Sequence, residues 1–440
     1  MGEASMRVKS ILLMLMTTFI FAAVTANTPA LAQSHPQFIK LARMVKGALY
    51  LPDNGPAPRI GILLMHEDSN FLVHIACTEF SKRGYAVLCI NGRSDNNEAL
   101  DTWNNLPQDA VLGMRYLRDT LKLSKVLLFA HSGGGPLLSY YEAAAEDGAS
   151  VCNGSSKLLP CTDKDVNGLV KADGMIFFDA HPGTAINLLR SLDPSIVRED
   201  DPKSVNAALD PFSEANGYNP KGMSHYSDAF KKTYFKAQAD RMNRLIADAV
   251  KKRDMIRAGT YKYPDDDAFI IPRTNARLMD LDSSIGVTTL KPRKLIKNDG
   301  TIVSQIIQSV KKPNLRLKKH NESFDDSKML TVMSFLGARA IRATDSMDDY
   351  DITSNNNSTE SNLQHIHVPI LMMAAGGHYF LRDDEKMIDA AVSPDKDYAV
   401  VEGAAHGVVP CKPCEATPGQ YGNSVKNAFD YMKAWIDKRY

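Results

Sequence analysis

Two residues far apart in the chain have the types and settings to do chemistry together: Ser132, in AHSGGG, and His406, in EGAAHG. A serine hydroxyl is a poor nucleophile until a base takes its proton, and imidazole titrates close enough to neutral pH to do so. A carboxylate behind the imidazole fixes its tautomer and stabilises the cation formed by the transfer. The pentapeptide that begins at Ala130 has the form of a GxSxG turn with alanine in place of the first glycine. Small residues on both sides let the backbone bend sharply and lift one hydroxyl above a sheet edge. Before it, Lys125 to Ala130 reads as a buried strand; after it, Leu137, Leu138 and Tyr141 recur at helical spacing. The amides that open this helix face the serine, where a developing negative charge is stabilised. An ordinary strand-to-helix loop rich in small residues has the same local sequence, and the late histidine is what separates the two readings.

His406 lies between Gly403 and Gly407, in a loop after the last predicted strand, Tyr398 to Val401, so it can swing back over the sheet edge. Several acids compete for the place behind it. Asp179 follows the predicted strand Met175 to Phe178, which should lie beside the Ser132 strand and end at the same edge. Asp384 and Glu385, with Asp383 beside them, follow the predicted strand Ile370 to Ala375 and are the alternatives. Asp179 is the first choice, although it also reads as a helix N-cap. His66, His131, His181 and His378 fall near other predicted strand ends, and His66 and His131 are read as shaping the site by hydrogen bonds.

These groups need a sheet to hold them. Predicted strands at Arg59 to Met65, Tyr85 to Ile90 and Lys125 to Ala130 alternate with predicted helices at Val73 to Lys82 and Asp109 to Leu121. That alternation argues for a mostly parallel α/β sheet with helices on both faces. The rhythm breaks after His181-Pro182-Gly183 and returns at Val368-Pro369, which divides the chain into a first core part at 33–181, a large, mainly helical insertion at 182–365 and a second core part at 366–440. Within the insertion, Ser227 to Arg257 predicts a long amphipathic helix capped by Ser227, and Ser327 to Ile341 a second helix. Asn298-Asp299-Gly300 predicts a hairpin over Lys294 to Ile307. Thr353 to Ser361, with three successive asparagines, reads as an exposed linker. The insertion is expected to cover the sheet edge and supply most of a substrate pocket.

With the serine turn, His66 after an early strand, the loop EGAAHG and an acid between serine and histidine in chain order, the sequence resembles the α/β-hydrolases that carry a large cap. The AHS form of the turn is similar to that of small secreted bacterial lipases. The resemblance covers the two core parts and says little about the insertion. It implies an oxyanion hole made from the backbone N–H of Gly133 and one from the loop after the early strand, assigned to Glu67, where many relatives carry glycine. It also implies an acid in a GxxD turn after Ala375, but this chain reads GGHY, with His378 and Tyr379 at that place. Asp179, in FFDAHPG, stands at a position similar to that of the acid in pancreatic-type lipases. The implied activity is hydrolysis of a carboxylic ester through an acyl-enzyme on Ser132, with His406 as general base and without cofactor or metal. Amide or peptide cleavage and acyl transfer use the same residues. A binding protein that kept the fold without catalysis is the alternative of a different class, motivated by Glu67 and the absent GxxD acid.

Composition bounds the partners. Lys9 closes a basic n-region, Ile11 to Val24 is apolar, and Ala30-Leu31-Ala32 is an AxA cleavage signal, so residues 1–32 read as a signal peptide of a secreted or periplasmic protein, with no stable membrane span after cleavage. Lys plus Arg at 52 against Asp plus Glu at 51 leaves a net charge of +1, and no basic arm or patch points to nucleic acid. The expected partner is a small-molecule or lipid-like ester. Six cysteines in an exported chain favour disulfides over a zinc site. Cys152 is expected to pair with Cys161 and Cys411 with Cys414, while Cys77 and Cys89 read as buried free thiols.

Overall fold

Short apolar runs build the centre of a ten-stranded sheet. In the computed structural model, which describes residues 35–94, 97–100 and 103–440, the order across the sheet is Gln37–Lys40, Lys46–Tyr50, Ala86–Asn91, Ile60–His66, Lys125–Ser132, Gly174–Ala180, Ile370–Ala375, Lys396–Val401, Arg293–Ile296 and Ile302–Gln305. From Ala86–Asn91 through Arg293–Ile296 every pairing is parallel, and antiparallel strands close both edges. The signal-peptide reading of residues 1–32 lies outside the described residues, and among those no helix is long and apolar enough to cross a membrane.

Strands buried on both faces need two apolar layers, and the strand before the serine shows how they divide. Val126, Leu128 and Ala130 pack into one core with the helices Pro107–Arg115 and Gly134–Asp147. Leu127 and Phe129 point the opposite way, into a core with Ile75–Ser81 and Ser424–Asp437. A mainly parallel sheet between two helical layers, with a serine turn at the end of its central strand, is the α/β-hydrolase fold.

The insertion is dominated by Asp228–Arg257, a helix capped by Ser227, whose Oγ accepts the Phe230 N–H at 3.2 Å. Its buried face packs on Leu188, Leu189, Phe335 and Leu336 in a core of its own. One expectation in this region holds and two fail. The hairpin turning at Asn298 to Gly300 forms, but it extends the main sheet, because Leu295 and Ile296 bury against the strand Lys396–Val401. The helix expected over Ser327 to Ile341 is instead the strand Lys328–Thr331, paired with Ala268–Ile271, followed by one α turn and a π turn ending at Arg339. Pairing with a neighbour outweighs local helical periodicity there.

The polar stretch Thr353 to Ser361 is the second. Ser354, Asn355, Asn356, Asn357 and Ser358 are buried, where they serve backbone groups that have no regular ladder. Asn357 Oδ1 accepts the Ala185 N–H at 3.0 Å and its Nδ2 donates to Gly337 O at 3.1 Å. Asn362 Nδ2 donates to Ser139 Oγ at 3.1 Å, which joins this segment to the helix behind Ser132.

All six cysteines are bridged. Cys152–Cys161 and Cys411–Cys414 pair as expected, with Cα atoms 5.3 and 5.2 Å apart. Cys77 and Cys89 are a correction. They form a third bridge, because the helix Ile75–Ser81 packs directly over the strand Ala86–Asn91 and brings their Cα atoms to 6.4 Å.

Replacing Asn357 by leucine removes both hydrogen-bonding ends and strands a buried N–H and a buried carbonyl. Urea unfolding of Asn357→Leu should show a loss of roughly 2–4 kcal/mol. A loss below about 0.5 kcal/mol would mean that the asparagine stretch is a passive connection.

Candidate active site

Ser132 is the last residue of its strand and adopts φ 58°, the left-handed region that a residue with a side chain rarely occupies. The next residues allow this only because they are glycine: a Cβ on Gly134 would stand 2.7 Å from Met65 O. Ser132 is thereby lifted to the sheet edge at the head of the helix Gly134–Asp147. Asp179, on the neighbouring strand, also has a positive φ, 46°, and its register shift against Ser132 turns its carboxylate toward the same edge.

The structure brings Ser132, His406 and Asp179 together. His406 Nε2 lies 2.8 Å from Ser132 Oγ, and its Nδ1 lies 2.5 Å from Asp179 Oδ2. Asp179 is fully buried, and its Oδ1 accepts the Ala375 N–H at 3.2 Å. Burial pushes this carboxyl upward, but His378 and His406 beside it prevail and hold it well below the usual aspartate range. His378 Nδ1 stands 2.7 Å from the same Oδ2, and its ring stacks on His406 with centroids 4.5 Å apart. Where the resemblance leads one to expect an acid after Ala375, the chain places a second imidazole on Asp179.

The alternative acids have other partners. Asp383 binds the buried Arg190 through two bonds of 2.7 and 3.1 Å. Glu385 accepts from Arg293 Nε at 2.7 Å and from the Leu290 and Lys291 amides. Asp384 is fully buried; burial first, then the charges of Asp179 and Asp383, push it well above the ordinary range.

A line of histidines supports the base. His74 Nδ1 accepts the Ala76 N–H, so its Nε2 carries the proton and donates to His131 Nδ1 at 3.1 Å. His131 Nε2 then donates to the His406 carbonyl at 2.6 Å and holds the histidine loop. Burial, followed by the charge of His406, keeps His131 neutral by lowering it well below the ordinary range. His131 was expected to shape the site, whereas His74 was missed; its only sequence signal is a histidine just ahead of a helix, where it serves as the N-cap.

The expected oxyanion donors are placed differently. Gly133 N–H donates to His66 Nε2 at 3.0 Å, so this amide is already engaged. His66 Nδ1 lies 3.0 Å from Glu67 Oε2 and 3.2 Å from Asp68 Oδ1. The buried Glu67 carboxyl packs so closely on Gly133 that a Cβ there would fall 2.0 Å from Oε2. Burial raises Glu67 above the usual range, with His66 and Arg339 opposing. A second imidazole, that of His181, reaches the nucleophile, with Nε2 3.0 Å from Ser132 Oγ.

Above Ser132 opens a cavity of about 310 Å³. Its wall is polar: Arg277, Arg339, Lys328, Asn187 and Thr184 line it, and among the described residues Leu188 is its only aliphatic hydrophobic side chain. A larger cavity of about 580 Å³, between Val197, Leu245 and Ile270, has no serine or histidine among the described residues that line it. Two sets of side chains, Asp179 with His378 and His406, and His66 with Glu67 and Asp68, are close enough to surround a cation. In both, the imidazoles and carboxylates already lie within hydrogen-bonding distance of one another.

No protein-family model matches the chain, and no curated protein does. Among solved structures, a siderophore hydrolase, EstB, from Aspergillus fumigatus is similar at 8% identity and TM-score 0.46, covering 93% of this chain and 98% of its own. A soluble variant of monoglyceride lipase from Saccharomyces cerevisiae is similar at 12% identity and TM-score 0.40, covering 93% and 96%. Est1E from Butyrivibrio proteoclasticus matches at 9% identity and TM-score 0.39, covering 92% and 98%. Identities this low say nothing of substrate, and the chemistry of the site rests on this chain's own side chains.

Asp384 offers a test of the electrostatics beneath Asp179. A carboxyl kept protonated by the fold is stabilising below the pH at which the unfolded chain ionises, about 4, and that contribution is lost as pH rises toward its folded value. Asp384→Asn replaces it with a neutral group of the same shape. Urea unfolding between pH 4 and pH 7 should show the variant gaining stability relative to the parent as pH rises. A relative loss over that interval would mean that Asp384 is ionised in the folded protein.

Proposed function

We propose that the protein is an exported serine hydrolase that cleaves a carboxylic ester through an acyl-enzyme. One observation carries this reading: the hydrogen-bonded line from Asp179 through His406 to Ser132, at 2.5 and 2.8 Å, with the serine on a left-handed turn at the head of a helix. Ser132 Oγ attacks the ester carbonyl carbon as its proton passes to His406 Nε2. Asp179 accepts a hydrogen bond from Nδ1–H, holding the tautomer and stabilising the imidazolium. Collapse of the tetrahedral adduct breaks the bond to the alkoxide, which takes the proton from His406. Water, deprotonated by the same imidazole, then attacks the acyl carbon; the carbon–Oγ bond breaks, the acid leaves, and His406 returns the proton to Ser132 Oγ.

The cavity argues for a compact, polar ester. At about 310 Å³ it has room for a small acyl group, and its guanidinium, ammonium, amide and hydroxyl lining offers little to a long alkyl chain. Thr184, Asn187, Leu188, Arg277 and Arg339 all come from the insertion, in keeping with its role as a cap. Export is inferred from the signal-like residues 1–32 and the three disulfides.

A second reading, a binding protein that kept the fold, is favoured by the Gly133 N–H being taken by His66 and by the carboxyl of Glu67 against that backbone. A fluorophosphonate probe separates the two, because it requires an activated serine and no knowledge of the substrate. The parent should be labelled at Ser132 and should hydrolyse p-nitrophenyl acetate faster than the laurate. Ser132→Ala should lose both labelling and turnover while keeping its unfolding midpoint, and Asp179→Asn should lower turnover by about 10⁴. A parent that is neither labelled nor active establishes the binding reading; full turnover in Asp179→Asn removes that carboxylate from the mechanism.

A further inference from the structure

Two imidazole nitrogens contact one hydroxyl, and a hydroxyl has one proton. His406 Nε2 at 2.8 Å and His181 Nε2 at 3.0 Å both lie within hydrogen-bonding distance of Ser132 Oγ. Asp179 is an acceptor, so the proton of a neutral His406 is on Nδ1, and its Nε2 accepts the Ser132 proton. The contact with His181 must then run the other way, with Nε2–H of His181 donating to Oγ. The opposite tautomer would set two lone pairs against each other and leave a proton on His181 Nδ1, which is buried and has no hydrogen-bond partner among the described residues.

His181 is held for such a task. Its N–H donates to Ser132 O at 2.9 Å, and its carbonyl accepts from Thr359 Oγ1 at 2.6 Å. The edge of its ring meets Phe380 with centroids 5.2 Å apart, and the plane lies within 11° of His406 at a separation of 6.0 Å. Burial first, and then the charge of His406, push this imidazole well below its ordinary range, so it stays neutral while its neighbour becomes an imidazolium. His181 also lines the cavity above Ser132.

The need for this donor comes from the other side of the serine. Gly133 N–H, the amide best placed to receive an oxyanion after a serine turn, donates to His66 Nε2. The carboxyl of Glu67 packs against the same glycine. We propose that His181 is a further catalytic residue: its Nε2–H, hydrogen-bonded to Ser132 Oγ at rest, stabilises the substrate's carbonyl oxygen in the tetrahedral intermediate, in place of the engaged amide of Gly133. The proposal rests on the serine hydrolase reading. As the bond from Oγ to carbon forms, the carbonyl electron pair moves onto oxygen and the serine proton goes to His406. The new oxyanion and Oγ share one carbon, so a short swing of the hydrogen bond carries the donor from one oxygen to the other. His181 keeps its proton throughout, and that of His406 leaves with the alkoxide.

The test uses the full chain with p-nitrophenyl acetate as substrate, a fluorophosphonate as serine probe and a trifluoromethyl ketone as analogue of the tetrahedral adduct. His181→Phe keeps a flat ring without a donor, His181→Ala removes the ring, and His181→Gln restores an N–H donor. Phe and Ala should each lower kcat by about 10²–10³ with KM within a few-fold, weaken the ketone by a similar factor, and leave the low-pH limb of kcat/KM unchanged because His406 remains the base. Gln should be faster than both. The proposal is overturned if the Phe variant, or the Ala variant if Phe does not fold, turns over within a few-fold of the parent. It is likewise overturned if the loss appears in KM alone or if Gln is no faster than Phe. A parent that is labelled and active while these variants match it removes this inference alone; a parent without labelling or turnover removes the hydrolase reading with it.

Discussion

A carboxylate with no exposed surface has to be paired, and the arrangement around Ser132 follows from how Asp179 is paired. Leaving such a charge without partners costs several kcal/mol, so the strand order that sets Ala375 N–H against Oδ1 is part of the site and not only of the sheet. His378 and His406 both meet Oδ2. That double contact holds the carboxyl ionised in spite of its burial, and an ionised Asp179 obliges the Nδ1 of His406 to carry its proton. Every other proton near the serine is then assigned in turn. His406 Nε2 is left as acceptor, and the serine hydroxyl points to it.

The same logic runs behind the loop. His74, His131 and the carbonyl of His406 form a one-way chain that begins at a helix N-cap, and a reversed tautomer at any link would put two donors or two acceptors face to face. A neutral His131 is therefore a structural brace, and its burial keeps it so. Beneath the acid, the rival carboxylates are committed elsewhere. Asp383 ties the helix Leu381–Ala390 to Arg190 of the insertion, while Glu385 ties it to Arg293 on the added sheet edge. Three consecutive acids thus hold the insertion, underlie Asp179 and fasten the hairpin.

What was legible in the sequence was whatever depends on local pattern. The central strands, the serine turn, the long helix with Ser227 at its head and the histidine loop all announce themselves through periodicity, small residues or caps. The choice of Asp179 over Asp384 or Glu385 follows from expected strand order, and Asp179 Oδ2 lies 2.5 Å from His406 Nδ1. What was not legible depends on contacts across the chain. Three asparagines in a row look like a linker, and only the unladdered backbone of Gly337 and Ala185 around them makes them interior residues. Lys328–Thr331 carries helical spacing, but its partner strand lies more than fifty residues earlier. Cys77 and Cys89 each fit a buried thiol until the helix is seen lying on the strand.

The loop after His66 shows why one departure from a pattern brings others with it. A glycine after the early strand would leave space beside the serine turn, whereas Glu67 fills that space with a carboxyl packed on Gly133. Burial alone favours the neutral acid, yet Glu67 has His66 Nδ1 at 3.0 Å and Arg339 Nη1 at 3.8 Å, so the group sits among opposing influences. His66 Nδ1 faces the Asp68 and Ser69 amides at 3.1 Å as well as the two carboxylates, while its Nε2 lies 3.0 Å from the Gly133 nitrogen. The Glu67 carboxyl and the His66 ring thus crowd the Gly133 backbone together. On the far side of the serine turn the His181 ring approaches instead, with Nε2 3.0 Å from Ser132 Oγ, so the hydroxyl lies between two imidazoles while the following amide faces a third.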